Sequence, residues 1–128
     1  MAARAFDLSL RLIDETEAGG WLPADAGEEH PVVELVNATM KTGAKLAGAL
    51  NGTDWPPEVE FCAGVVVRLK RARGCLDDAL GAAESCAEQN LTDAAWLAAV
   101  TNDLTSIAGE TDVLIAELRT RLGRGFEY

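Results

Sequence analysis

The chain has 128 residues, enough for one hydrophobic core and a single domain, 1–128, but too few for two. Hydrophobic residues make up 48% of it, which excludes a disordered chain, and no apolar run approaches the ~18 residues that a membrane span needs. The formal net charge is −10, from 21 acidic and 11 basic residues, and a polyanion is repelled by such a chain unless its cations gather on one face.

Aromatic residues are only 5%, so the core must be built from Leu, Val, Ile and Ala, a composition that favours helix. The first segment, about 2–17, admits two patterns. Phe6, Leu8, Leu10 and Leu12 alternate with polar residues as a half-buried strand would, whereas Ala3, Phe6, Leu10 and Ile13 share one helical face. A strand here would find no partner strand elsewhere in the chain and would leave its backbone unpaired, so helix is expected. Asp7 and Arg11 interrupt its apolar positions, which does not fit a signal peptide and points to the cytoplasm. A loop from Gly19 to Glu29, containing Trp21 and Pro23, should follow.

His30 and Pro31 open a second helix, 31–50, with Asn51-Gly52 as its stop signal. Its expected core stripe is Val33, Val36, Met40, Ala44, Ala47 and Leu50. A third helix, about 56–89, places Phe61, Val65, Leu69, Ala72, Leu76, Leu80, Ala83 and Ala87 in one stripe, with Asp54 as the expected cap before Pro56 and Pro57. The fourth, about 92–122, carries Leu97, Val100, Leu104, Ile107, Thr111, Leu114, Ile115, Leu118 and Leu122 on one face. Asn90 or Thr92 would cap its start, and Gly123 would end it beside Arg119, Arg121 and Arg124. Antiparallel packing of the last two helices would bring those arginines near Glu58 and Glu60. The short links at Gly52–Trp55 and near Asn90 make successive helices antiparallel neighbours, so the expected fold is all-α, an antiparallel up-down-up-down four-helix bundle.

The third helix also carries Ala63, Val67, Gly74 and Gly81 on a side away from its main stripe. An interior glycine costs a helix about 1 kcal/mol relative to Ala, so Gly64, Gly74 and Gly81 call for a reason, and close approach of another backbone is one. Either both faces meet helices of the same bundle, or Ala63, Val67, Gly74 and Gly81 form a subunit interface.

The segment Ala72-Arg73-Gly74-Cys75-Leu76-Asp77-Asp78 resembles a motif of the four-helix-bundle family that includes the proteins encoded by intervening sequences of 23S ribosomal RNA genes. That family has Ala-Arg-Gly-Ser-Leu, one variable residue, then Glu, so Cys75 stands for Ser and Asp78 for Glu. The order of an Ala-rich second helix, a long third helix and a Leu-rich fourth is also similar. The resemblance implies an up-down-up-down bundle, self-assembly into a ring-like homo-pentamer and no enzymatic activity. It further suggests Arg73 as a structural ion-pair residue. A related group, the accessory variability proteins of diversity-generating retroelements, implies an adaptor for a reverse transcriptase and its RNA, although those proteins are basic and this chain is acidic.

No catalytic inventory emerges from the residues. His30, the sole histidine, precedes Pro31 at a helix start, where a capping role suits it better than catalysis. The three cysteines, Cys62, Cys75 and Cys86, do not make a disulfide framework. Cys75 and Cys86 lie ~16 Å apart along one helix at 1.5 Å per residue, too far to share a metal ion. No cofactor is expected. Arg68, Lys70, Arg71 and Arg73 form the one basic cluster and the candidate nucleic-acid contact, but a helical projection spreads them around the cylinder. Asp77, Asp78, Glu84 and Glu88 are the acidic residues from which a magnesium-dependent nucleotide hydrolase would be built. Such a site needs paired acidic motifs on two helices, and the last helix offers only scattered Asp103, Glu110, Asp112 and Glu117, so a solvated face explains them better. The expected function is therefore a non-enzymatic, self-associating scaffold or interaction module whose partner is itself. A nucleic-acid or reverse-transcriptase adaptor and a magnesium-dependent hydrolase are the alternatives.

Overall fold

The computed structural model describes residues 2–52 and 54–125, without the side chain of Arg124. The described residues form four helices: α1 (Ala2–Gly19), α2 (Pro31–Leu50), α3 (Val59–Glu88) and α4 (Ala94–Gly125). Backbones approach most closely between α1 and α2, α2 and α3, and α3 and α4. Side chains complete the circuit from α1 to α4: Arg4 pairs with Glu110, Arg11 with Asp103, and Glu15 accepts a hydrogen bond from the Trp96 indole N–H. Low numbers on α1 thus meet high numbers on α4, and the fold is an all-α, antiparallel four-helix bundle.

Helix ends follow local chemistry. His30 caps α2, its Nδ1 accepting the Val32 N–H at 3.2 Å, and Asn51 with Gly52 at φ +75° ends it. The third helix begins later than expected: Pro56 and Pro57 precede it, and Glu58 rather than Asp54 takes the cap position. Asn90 closes α3 instead of opening α4. It adopts a left-handed φ of 53°, which lets the Leu91 N–H reach the Cys86 carbonyl at 3.0 Å. Asp93, not Asn90 or Thr92, caps α4, its Oδ2 accepting the Trp96 N–H at 2.9 Å. Gly123 does not stop α4, which continues through Gly125. Arg121 donates to the Pro57 carbonyl at 2.8 Å rather than pairing with Glu58 or Glu60, while the Arg124 side chain lies outside the described ones.

The core contains Leu12, Leu35, Leu46, Leu69, Leu76, Leu104, Ile107 and Leu118, all fully buried. The stripe expected on α4 is buried or half-buried throughout, and α3 buries Val65, Leu69, Ala72, Leu76 and Ala83 as expected, although Phe61 and Ala87 are exposed.

The first two helices differ from expectation. On α1 the buried residues are Ala5, Leu8, Ser9, Leu12 and Thr16, and Ala3, Phe6 and Leu10 face outward. On α2 the core takes Val32, Leu35, Val36, Ala38, Thr39, Thr42, Gly43, Leu46 and Ala49, and Met40 and Ala44 are exposed. Each helix carries two apolar stripes, and the bundle buries the one containing hydroxyl groups. Those hydroxyls bring their own acceptors. Thr16, Thr39, Thr42 and Thr111 each donate to the carbonyl four residues back, at 2.6–2.8 Å, and Ser9 donates to Phe6 O at 2.6 Å. A hydroxyl satisfied by its own helix is nearly apolar towards a neighbour.

Gly43 fixes the contact between α1 and α2. A Cβ added there would lie 3.3 Å from the backbone nitrogen of Phe6, and helix backbone cannot yield as a flexible side chain can. At Gly74 an added Cβ meets nothing within 4 Å. The same substitution should therefore have opposite signs at the two sites. In urea denaturation, Gly43→Ala is expected to lose about 1 kcal/mol or more through overpacking, and Gly74→Ala to gain about 0.5–1 kcal/mol through helix propensity.

Candidate interaction surfaces

The features that stand out among the described residues are open faces and hollows of the helices. The face away from the α3 core stripe holds Ala63, Val67, Gly74 and Gly81, and all four are exposed. A Cβ built at Gly64, Gly74 or Gly81 meets nothing within 4 Å. No other described helix packs closely on these glycines, so of the two readings of that face, the one in which it meets the same bundle is corrected.

A second face lies over α1 and α2. Phe6, Leu10 and Met40 stand out at 58%, 46% and 46% exposure. With Ala3, Ile13, Ala44 and Ala47 they line an open apolar groove of about 650 Å³ floored by Gly43. The residues that best resembled core in the sequence are thus the lining of an outer groove.

Of the four basic residues, Arg73 is engaged within the bundle. Its Nε donates to Asp112 Oδ1 of α4 at 3.0 Å and its Nη1 to Asp77 Oδ1 one turn along α3. Burial works against the Arg73 charge, but the hydrogen bond and charge of Asp112, followed by those of Asp77, outweigh it and raise the guanidinium pKa. The pair ties α3 to α4 and commits Asp77. Arg68, Lys70 and Arg71 are exposed, at successive angles of about 100° per residue around the helix, and do not make one basic stripe.

Asp78, Glu84 and Glu88 are exposed, and no group of three or more His, Cys, Asp or Glu side chains among the described residues is placed to hold a metal ion. Another open hollow, of about 520 Å³, lies between the end of α3 and the start of α4, lined by Leu80, Ala83, Glu84, Leu97 and Thr101 among others. At its edge the Thr92 hydroxyl is buried without a hydrogen-bond partner. Trp21, from the first loop, packs on Trp96 with ring centroids 4.7 Å apart, tying that loop to the start of α4. Sequence patterning did not bring Trp21, Trp96 and Glu15 together, because they lie in three separate segments with no shared period.

All three cysteines are free thiols, with Cys62 and Cys86 buried and Cys75 half-buried. Burial, assisted by the charge of Glu34, pushes the Cys86 thiol up to about 11. No described helix is long and apolar enough to cross a membrane. No protein-family description, no curated protein and no solved structure matches the chain.

The thiols offer a direct check on this packing. A raised folded-state pKa means that the unfolded thiol loses its proton first, so the Cys86 contribution to stability falls as pH rises from about 9 to about 11. In native protein at pH 8, a thiol-reactive dye should label Cys75 rapidly and the other two slowly. Cys75→Ser should abolish the rapid phase.

Proposed function

We propose that this protein is a non-enzymatic helical-bundle module of the cytoplasm that associates with copies of itself and acts as a scaffold or interaction platform. One observation carries the reading. Apolar side chains of near-core quality, Phe6, Leu10 and Met40, are held together on the outside of helices whose cores are already filled. Scattered exposed apolar residues need no explanation, but a contiguous groove of them on two adjacent helices marks a surface that another molecule covers. The smooth face of α3, at Ala63, Val67, Gly74 and Gly81, is a second such surface. The ring of five implied by the intervening-sequence resemblance would need a head-to-tail contact between different faces, for which the α3 face is the candidate.

Support for a nucleic-acid adaptor is weaker. Arg73 is committed to Asp112 and Asp77, and the remaining three cations of the cluster are divided among different directions on a chain of net charge −10.

Light scattering after size exclusion, over a wide range of protein concentration, tests the proposal. A mass of two or more chains that grows with concentration is expected, with five as the value the ring requires. A strict monomer at every concentration would overturn the reading and return attention to the acidic face of α3.

A further inference from the structure

The groove over α1 and α2 has a specific occupant written into its edges. Its α1 edge carries Asp7 and Asp14, exposed beyond Phe6 and Leu10, while Arg4 and Arg11 beside Asp7 are held towards α4 by Glu110, Glu15 and Asp103. Its α2 edge is basic at Lys41 and Lys45, exposed beyond Met40 and Ala44, and carries one acid, Glu34, two turns before Lys41. None of Asp7, Asp14, Lys41 and Lys45 makes an ion pair with another described residue of the chain. A surface that is apolar along its middle, acidic along one edge and basic along the other is complementary to itself, provided that the second copy is turned so that opposite edges meet.

We infer that the α1–α2 face is a two-fold interface between two copies of this chain, with α1 of each seated on α2 of the other. The axis that achieves this runs parallel to the helices. Rotation about it exchanges left and right edges while keeping every residue at its own level along the bundle. The levels follow from the close contact of Gly43 with Phe6, which places residues 6 and 43 side by side in two antiparallel helices. Asp7 then stands level with residue 42. It lies about 1.5 Å along the axis from Lys41 and about 4.5 Å from Lys45, at 1.5 Å per residue. Across the interface, Asp7 of one copy faces Lys41 and Lys45 of the other, twice by symmetry. Phe6 and Leu10 lie against Ala44 and Met40 of the second copy, small residue facing large at one level and large facing large at the next. At the far end Asp14 is level with residue 35 and about 1.5 Å along the axis from Glu34, so the attraction is concentrated at the Asp7 end. A two-fold axis at right angles to the helices would set α1 on α1 and bring acid against acid.

The extent of the face sets the strength to expect. The 20 residues of α2 span about 30 Å, and two helices side by side are about 20 Å across, giving about 600 Å² per copy. Stable interfaces bury about 800 Å² per partner, so this one belongs to the small class and should dissociate on dilution.

The inference rests on the self-association proposed above and is tested with the full-length chain by sedimentation or light scattering over a dilution series. Phe6, Leu10, Met40, Asp7 and Lys41 are exposed, so substitutions there should leave the helical circular dichroism unchanged. Leu10→Glu and Met40→Glu should each raise the concentration at half-dimer by about tenfold or more, by placing a charge in a desolvated contact. Asp7→Lys and Lys41→Glu should each weaken the dimer, and the chain carrying both should recover part of it, since the exchanged charges at positions 7 and 41 again meet across the axis while Lys45 keeps its sign. If the two charge changes together are no better than either alone, the α1-on-α2 arrangement is overturned. If a multimer persists unchanged in Leu10→Glu and Met40→Glu, self-association stands, through another face, and this interface fails. A wild-type chain that is monomeric at all concentrations sinks both.

Discussion

The hydrogen bonds from Thr16, Thr39, Thr42 and Thr111 back to the carbonyls of their own helices govern much of the bundle. A buried hydroxyl with no partner costs about 1–3 kcal/mol. With the i−4 carbonyl as acceptor that cost is largely removed, and a threonine packs much as a valine would. This allows α1 and α2 to turn their hydroxyl-bearing stripes inward. Gly43 then reaches the backbone at Phe6, α1 and α2 come close together, and Phe6, Leu10 and Met40 have nowhere to go but outward. The outer groove is a consequence of the inner packing.

The bundle is closed unequally. Successive helices meet through close backbone approach and small residues, whereas α1 meets α4 through long side chains at the surface. Pairs such as Arg4–Glu110, each side chain nearly half exposed, contribute about 0–1 kcal/mol. The contacts among Trp21, Trp96 and Glu15 add an aromatic clasp at one end of the same junction. Arg73, bonded to both Asp77 and Asp112, does similar work between α3 and α4, and it is the one basic residue of its cluster drawn into the structure.

The chemistry of the molecule is concentrated in its faces. Its titratable groups are mostly exposed, two of its three thiols are buried, and its acidic residues are dispersed over all four helices and the loops between them. Catalysis requires a few groups held at hydrogen-bond distance around one point. Association requires only a contiguous surface with matched shape and charge, and the α1–α2 face has both the apolar centre and the oppositely charged edges.

The sequence by itself determined the number and order of the helices and their antiparallel succession, because apolar period, proline, Asn-Gly and short links act locally. It also determined the core of α4, most of the expected stripe of α3 apart from Phe61 and Ala87, and the His30 cap. Helix starts at Glu58 and Asp93 were harder to place, since several capping residues lie within a turn of each other. What only the tertiary structure decided was which of two apolar stripes on α1 and α2 faces inward. Hydropathy ranks Phe6, Leu10 and Met40 above Ser9, Thr16, Thr39, Thr42 and Gly43 as core residues. The bundle inverts that order, because hydroxyls bonded to their own helices and a glycine without a Cβ let two backbones pack more closely than large side chains would.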